Sequence, residues 1–201
     1  MAFAKKSGKI RYPAPAFGEW LEIPNFARHF GSHQRPGAVL RWIESLEADH
    51  PEDIVGPVFW QVVRDNWATF DLIPHTEYAE AFDQYLTYCP DDPVLVDAGN
   101  TDRTWFDSLP DEFAAYRGQC AARDVGLAWT VDRERAEWFA RTGYRGRGNA
   151  HPILLTTTIR KRDIVLASNT RNESEVVPYV VPNAELTRGW KKAAVYTGES
   201  S

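Results

Sequence analysis

Apolar and polar positions along this chain change period once, near residue 110, and the change separates a helical part from a strand-rich part. Ahead of it, Val39, Leu40, Ile43 and Leu46 recur at three- and four-residue spacing as far as His50-Pro51, which predicts an amphipathic helix after Pro36-Gly37. Phe59, Val62, Val63, Trp67 and Phe70 repeat that spacing, with Pro57 expected in the first turn and Ile73-Pro74 as the stop. A third helix is predicted from Thr76 as N-cap, with Tyr78, Phe82, Tyr85, Leu86 and Cys89 turned inward. Beyond residue 110 the apolar runs are short and suit strands at 113–117, 126–130, 152–159, 163–167 and 174–181. They are interrupted by one helix at about 132–142, capped by Asp132, with Ala136, Phe139 and Ala140 at helical spacing.

The pattern implies an α+β protein in which a helical N-terminal region precedes the sheet. Residues 1–35, rich in Pro, Gly and scattered aromatics, read as an irregular arm, residues 36–100 as the helical region and residues 101–201 as the core that would hold the site. The seam is expected where Pro90-Asp91-Asp92-Pro93 and Ala98-Gly99-Asn100-Thr101-Asp102 act as breakers around Val94-Leu95-Val96. With 201 residues, 43% of them hydrophobic and 13% aromatic, the chain has material for one substantial core.

Charge sharpens this division. Residues 1–100 carry 8 Lys and Arg against 15 Asp and Glu, a balance of −7, and residues 101–201 carry 15 against 13, a balance of +2. An acidic chain is not a general nucleic-acid coat, while the less acidic second part suits an anionic ligand. Two cysteines, Cys89 and Cys120, are too few for a disulfide framework and lack metal-ligand spacing, and His29 and His33 have no suitably spaced acidic partner, so no metal site is expected. No stretch reaches the roughly 18 uninterrupted apolar residues of a membrane helix, and no signal peptide is evident, so a soluble, reduced, cytoplasmic protein is expected.

Three stretches carry candidate chemistry. Tyr116-Arg117-Gly118 delivers a guanidinium to a strand end, where its planar donors suit phosphate oxygens and the glycine admits close backbone approach. Gly126-Leu127-Ala128-Trp129-Thr130 is an apolar strand leading into the helix that ends Trp138-Phe139-Ala140. Glu173-Ser174-Glu175-Val176-Val177 sets two carboxylates one residue apart, a spacing that puts both on one face of an extended strand. A second Tyr-Arg-Gly, at Tyr144-Arg145-Gly146, lies in a Gly- and Arg-rich connection after the helix.

In this order the three stretches resemble the mono-ADP-ribosyltransferase superfamily, in particular its arginine, serine-threonine-serine, glutamate branch. The resemblance covers about residues 110 to 182 and implies strands in two packed sheets flanking a cleft for NAD, with helices mostly ahead of the first strand. It favours Arg117 over Arg145 as the dinucleotide-bracing arginine, because the family's arginine precedes the serine-threonine-serine strand. It assigns Gly118, Trp129 and Thr130 to cofactor binding, Glu175 to catalysis, and Glu173 to orienting an acceptor such as an arginine side chain. Ala128 stands where the family has its first hydroxyl. The implied activity is transfer of ADP-ribose from NAD to a macromolecular acceptor, protein rather than nucleic acid, as phage or bacterial effectors perform it. Hydrolysis of NAD at the same site, and a non-catalytic partner-binding module, are the alternatives.

Overall fold

The computed structural model describes residues 9–13, 20–94, 100–143, 148–169 and 172–187. The helical part packs first. Helix α1 (Phe26–His29) is capped by the Asn25 side chain, and α2 (Arg35–Glu47) follows with Pro36 in its first turn. Helix α3 spans Glu52–Asn66 and α4 spans His75–Gln84. Val39 and Ile43 of α2, Val55, Phe59 and Val62 of α3, and Tyr78 and Phe82 of α4 meet in one buried cluster, as their three- and four-residue spacing requires. Buried polar tips find partners, the Trp60 indole N–H donating to the Tyr85 carbonyl at 2.7 Å and the Tyr78 hydroxyl to that of Pro36 at 3.1 Å.

Several boundaries differ from the sequence reading. Helix α3 begins at Glu52 and contains Pro57 rather than starting there, because Glu52 and Asp53 already suit a first turn whose amides need no partner within the helix. Helix α4 is preceded by Pro74 as N-cap, so Thr76 lies within its first turn and His75 becomes its first residue. The stretch read as an irregular arm contains a two-stranded antiparallel ribbon, β1 (Lys9–Pro13) and β2 (Trp20–Pro24), in register from Lys9 opposite Pro24 to Pro13 opposite Trp20. The expected breaker at 98–102 is also revised, since α5 runs from Asn100 to Ser108. Its Asp102 is buried and accepts a hydrogen bond from the Ser168 hydroxyl at 3.1 Å.

The second part is a six-stranded sheet built from β3 (Glu112–Cys120), β4 (Trp129–Thr130), β5 (Pro152–Arg160), β6 (Ile164–Ser168), β7 (Glu175–Pro178) and β8 (Glu185–Leu186). Their order across the sheet is β6-β7-β4-β3-β5-β8, with every named pairing antiparallel. Val94 adds a single parallel bridge to Ala167. The fold is therefore α+β, with the helical region ahead of the sheet. Adjacent Val176 and Val177 show the period of two, Val177 joining the helical core and Val176 a second cluster with Phe106, Phe113 and Trp129. The sheet thus lies between α1–α4 on one face and α5 on the other.

Instead of the two packed sheets expected, the six strands share one hydrogen-bonded sheet, because β4 bridges β3 and β7, and it is narrow at its centre. Strand β4 has two residues where five were expected, and it meets β3 at a single residue pair, Tyr116 with Thr130, whereas β3 and β5 pair over nine. Beside this waist lies α6 (Arg133–Thr142), whose N-cap Asp132 accepts from the Arg135 amide at 3.1 Å. Helix α6 is so close to β3 that a Cβ on Gly118 would lie 1.8 Å from the Ala136 carbonyl oxygen and 2.4 Å from the Ala140 nitrogen. Backbone atoms cannot yield as a side chain can. Gly118→Ala is therefore expected to force α6 off the sheet, destabilising the protein by about 3 kcal/mol or preventing folding. Urea denaturation with circular dichroism would measure the loss.

Candidate functional site

The waist of the sheet opens into a cavity of about 220 Å³ whose walls include Tyr116, Arg117 and Gly118 from β3, Trp129 and Thr130 from β4, and Glu173 and Glu175 at β7. All six residues singled out in the sequence, Arg117, Gly118, Trp129, Thr130, Glu173 and Glu175, therefore line one space. The cause is topological. Strand β4 is the neighbour of both β3 and β7, so the shortness of β4 leaves a notch between the two longer strands. The second Tyr-Arg-Gly, at 144–146, lies outside the described residues.

Arg117 is not at a strand end. Pairing with β5 carries β3 on to Cys120 and places Arg117 opposite Leu155 in mid-strand. Its Nε donates to Gln119 Oε1 at 2.7 Å, two residues along the same face, and its Nη1 donates to the Ala128 carbonyl oxygen. Nη2 lies 3.3 Å from His75 Nε2 at the start of α4. Burial lowers the guanidinium to about 10, opposed by the nearby Glu175 carboxylate, so it stays a cation at neutral pH. Gly126 makes the approach possible, since a Cβ there would lie 2.4 Å from His75 Nε2 and 2.5 Å from Arg117 Nη2.

His75 faces N–H donors on both sides, because the Leu127 amide donates to Nδ1 at 3.1 Å while Arg117 Nη2 stands at Nε2. A neutral imidazole has one lone pair to offer them and an imidazolium has none. Desolvation, reinforced by Arg117 and Arg123, accordingly drives the ring down to about 3, so it is neutral in the folded protein.

The two carboxylates are held differently. Glu175 is the first residue of β7, flanked across the sheet by Thr130 on β4 and Ser168 on β6. Its Oε1 accepts a hydrogen bond from the indole Nε1 of Trp67, in the turn after α3, at 3.1 Å. Glu173 precedes the strand, and Ser174 between the two has a left-handed backbone, φ 46°. The period-two argument thus fails for the pair, yet both side chains reach the cavity. The turn is secured by Asn169 Oδ1, which accepts from the Ser174 amide and hydroxyl at 3.2 and 3.0 Å.

Thr130 is buried, and its hydroxyl is committed to the backbone: it donates to the Glu173 carbonyl at 2.6 Å and accepts from the Asp132 amide at 3.0 Å. Trp129 packs in the second core and donates its indole N–H to the Gly126 carbonyl at 3.0 Å. The Glu173 carboxylate lies 3.5 Å from Arg135 Nη2 on α6, whose guanidinium carbon sits 4.8 Å from the Trp138 ring centre and 5.2 Å from that of Phe139.

The cavity opens into a cleft of about 1200 Å³. Residues 70–77 form one wall, Gln119 to Asp124 another, and Trp138 and Phe139 a third. Leu72 is 50% exposed and Trp138 46%, so the cleft has an apolar rim above its charged floor. Trp67 and His75 were not singled out as site residues in the sequence. Trp67 was legible only as a core position, and a buried indole N–H signals the need for an acceptor without naming it. Nothing in the Ile-Pro-His turn marks His75.

Among the described residues no helix is long and apolar enough to cross a membrane. No protein-family model matches the chain, and neither the curated proteins nor the solved structures contain a significant match to it.

Because His75 has its pKa at about 3 when folded and near 6.5 when unfolded, the unfolded chain binds the additional proton between these values. The stability contributed by keeping the ring neutral is complete above about pH 6.5 and is lost as pH falls toward 3, with a slope of at most about 1.4 kcal/mol per pH unit. His75→Asn, whose Oδ1 can accept from the Leu127 amide without titrating, is expected to flatten this part of the pH dependence. Denaturation midpoints across that window in the two proteins would show it.

Proposed function

We propose that the cleft binds NAD and that the protein transfers ADP-ribose from it, releasing nicotinamide. The observation that carries this reading is the single cavity lined by Arg117, Gly118, Thr130, Glu173 and Glu175, residues drawn from three separated stretches. A part-buried cation beside a carboxylate, at the floor of a cleft large enough for a dinucleotide, suits a ligand with a diphosphate and a ribose. His75 can satisfy the facing Arg117 N–H only by giving up that of Leu127, so an anionic oxygen at Arg117 would resolve a local shortage of acceptors.

In the proposed reaction the bond between ribose C1′ and the nicotinamide nitrogen breaks, and its electron pair leaves with nicotinamide. The acceptor forms a bond to C1′ and gives up a proton. Glu175 faces the positive charge that develops on the ribose, and its attraction is greater in the transition state than in the ground state. Arg117 holds the diphosphate, and Glu173 orients the acceptor.

A second reading keeps the site and makes water the acceptor. It is favoured by the pairing of Glu173 with Arg135, which already places a guanidinium from the chain itself at the carboxylate meant to receive one. The acceptor class therefore separates the two readings.

Glu175→Gln is expected to lower nicotinamide release by about 10²-fold or more while leaving NAD affinity and the melting midpoint close to those of the native protein. Calorimetry with NAD and a non-hydrolysable analogue, together with nicotinamide assays, measures each quantity; no binding by the native protein overturns the reading. For transfer, Glu173→Gln should abolish adducts that mass spectrometry detects in lysate while NAD hydrolysis persists. Equal loss of both activities would instead give Glu173 a structural role.

A further inference from the structure

Glu175 needs a fixed orientation if its charge is to face a developing cation, and two hydroxyls on the strands beside it have other partners. On β4 the Thr130 hydroxyl is committed to the Glu173 carbonyl and the Asp132 amide, and the preceding Ala128 has no donor to offer. Ser168, across on β6, donates to the buried Asp102. A donor to Glu175 Oε1 comes from outside the sheet, from the indole Nε1 of Trp67 at 3.1 Å.

Trp67 is built to hold that position. It is 2% exposed and wedged among Phe70, Tyr78 and Phe82, with ring centres 5.8 to 6.0 Å away. Its backbone amide closes the end of α3 by donating to the Val63 carbonyl. An indole N–H donates and cannot accept, and it carries no titrating proton. It can therefore favour the ionised carboxylate without adding a further charge to that of Arg117 across the cavity.

Resting on the NAD reading above, we infer that Trp67 is a positioning residue of the site: the helical region orients Glu175 through the Trp67 indole hydrogen bond. The helices ahead of the sheet then contribute a working part of the site, at Glu175 through Trp67 and at Arg117 through His75.

The test replaces the Trp67 indole in the full-length protein by benzothiophene, which keeps the bicyclic shape and lacks the N–H, with Trp67→Phe as a second variant. In the benzothiophene protein kcat for nicotinamide release is expected to fall about 10- to 100-fold, the range for losing a hydrogen bond to a charged group, with KM for NAD within about two-fold. The melting midpoint should stay near that of the native protein. Removing a donor from the ionised carboxylate also moves the acid limb of the kcat profile to higher pH; Arg117 and Glu173 face the same cavity in every variant, so the movement reports on the deleted bond. Native kcat and an unmoved profile in the benzothiophene protein would overturn the inference alone, as would a rise in KM with kcat unchanged. A native protein inert toward NAD would overturn the reading on which it rests. If Trp67→Phe fails to fold, the benzothiophene protein, whose packing is preserved, still decides.

Discussion

The site depends on one part-buried cation. Arg117 sits in the middle of a sheet strand, and a guanidinium there is tolerated only when its donors meet acceptors and its charge meets an opposing one. Gln119 on the same strand, the Ala128 carbonyl ahead of β4 and the Glu175 carboxylate across the cavity meet those needs. His75 completes the surroundings from the helical region, and its own ring is kept neutral as a result. Four separate stretches of chain therefore converge on one charge.

Convergence alone would fill the space, and two features keep it open. Strand β4 is too short to zip β3 to β7, and Gly118 lets α6 lie directly on the sheet without a side chain between them. The first leaves a notch in the sheet, while the second places Trp138 and Phe139 at its mouth. Thr130, singled out in the sequence for its hydroxyl, serves the notch as a strap: it ties the turn that carries Glu173 to the strand beside Glu175. The carboxylates owe their placement to this strap and to the left-handed Ser174, not to an extended strand.

The acidic pair is asymmetric in its surroundings, which bears on chemistry. Glu175 is bonded by a neutral donor from a rigid aromatic cluster, and Glu173 by a cation stacked on two rings at the cleft wall. A neutral partner preserves the carboxylate's field for a ligand, whereas a cationic partner offsets it. The geometry thus gives Glu175 a neutral hydrogen-bond donor with Arg117 as its opposing charge across the cavity, and Glu173 a cation directly at its carboxylate.

By itself the sequence determined the elements whose apolar positions repeat, because burial of one face imposes the period whatever the neighbours are. The faces of α2, α3 and α4, the Asp132 cap of α6 and the apolar strands β5 and β6 were legible for that reason. The resemblance carried by the order of the three stretches also pointed to the six residues that share the cavity. Helix α5 was hidden behind Gly and Asn residues that resemble a breaker, and the true length of β4 behind an apolar run whose Leu127 belongs to the helical core. Trp67 and His75 were beyond reach of any local pattern, since their partners lie 108 and 42 residues away. A hydrogen bond between such distant groups depends on how helices and sheet pack together, and only the tertiary structure decides which acceptor a buried donor meets.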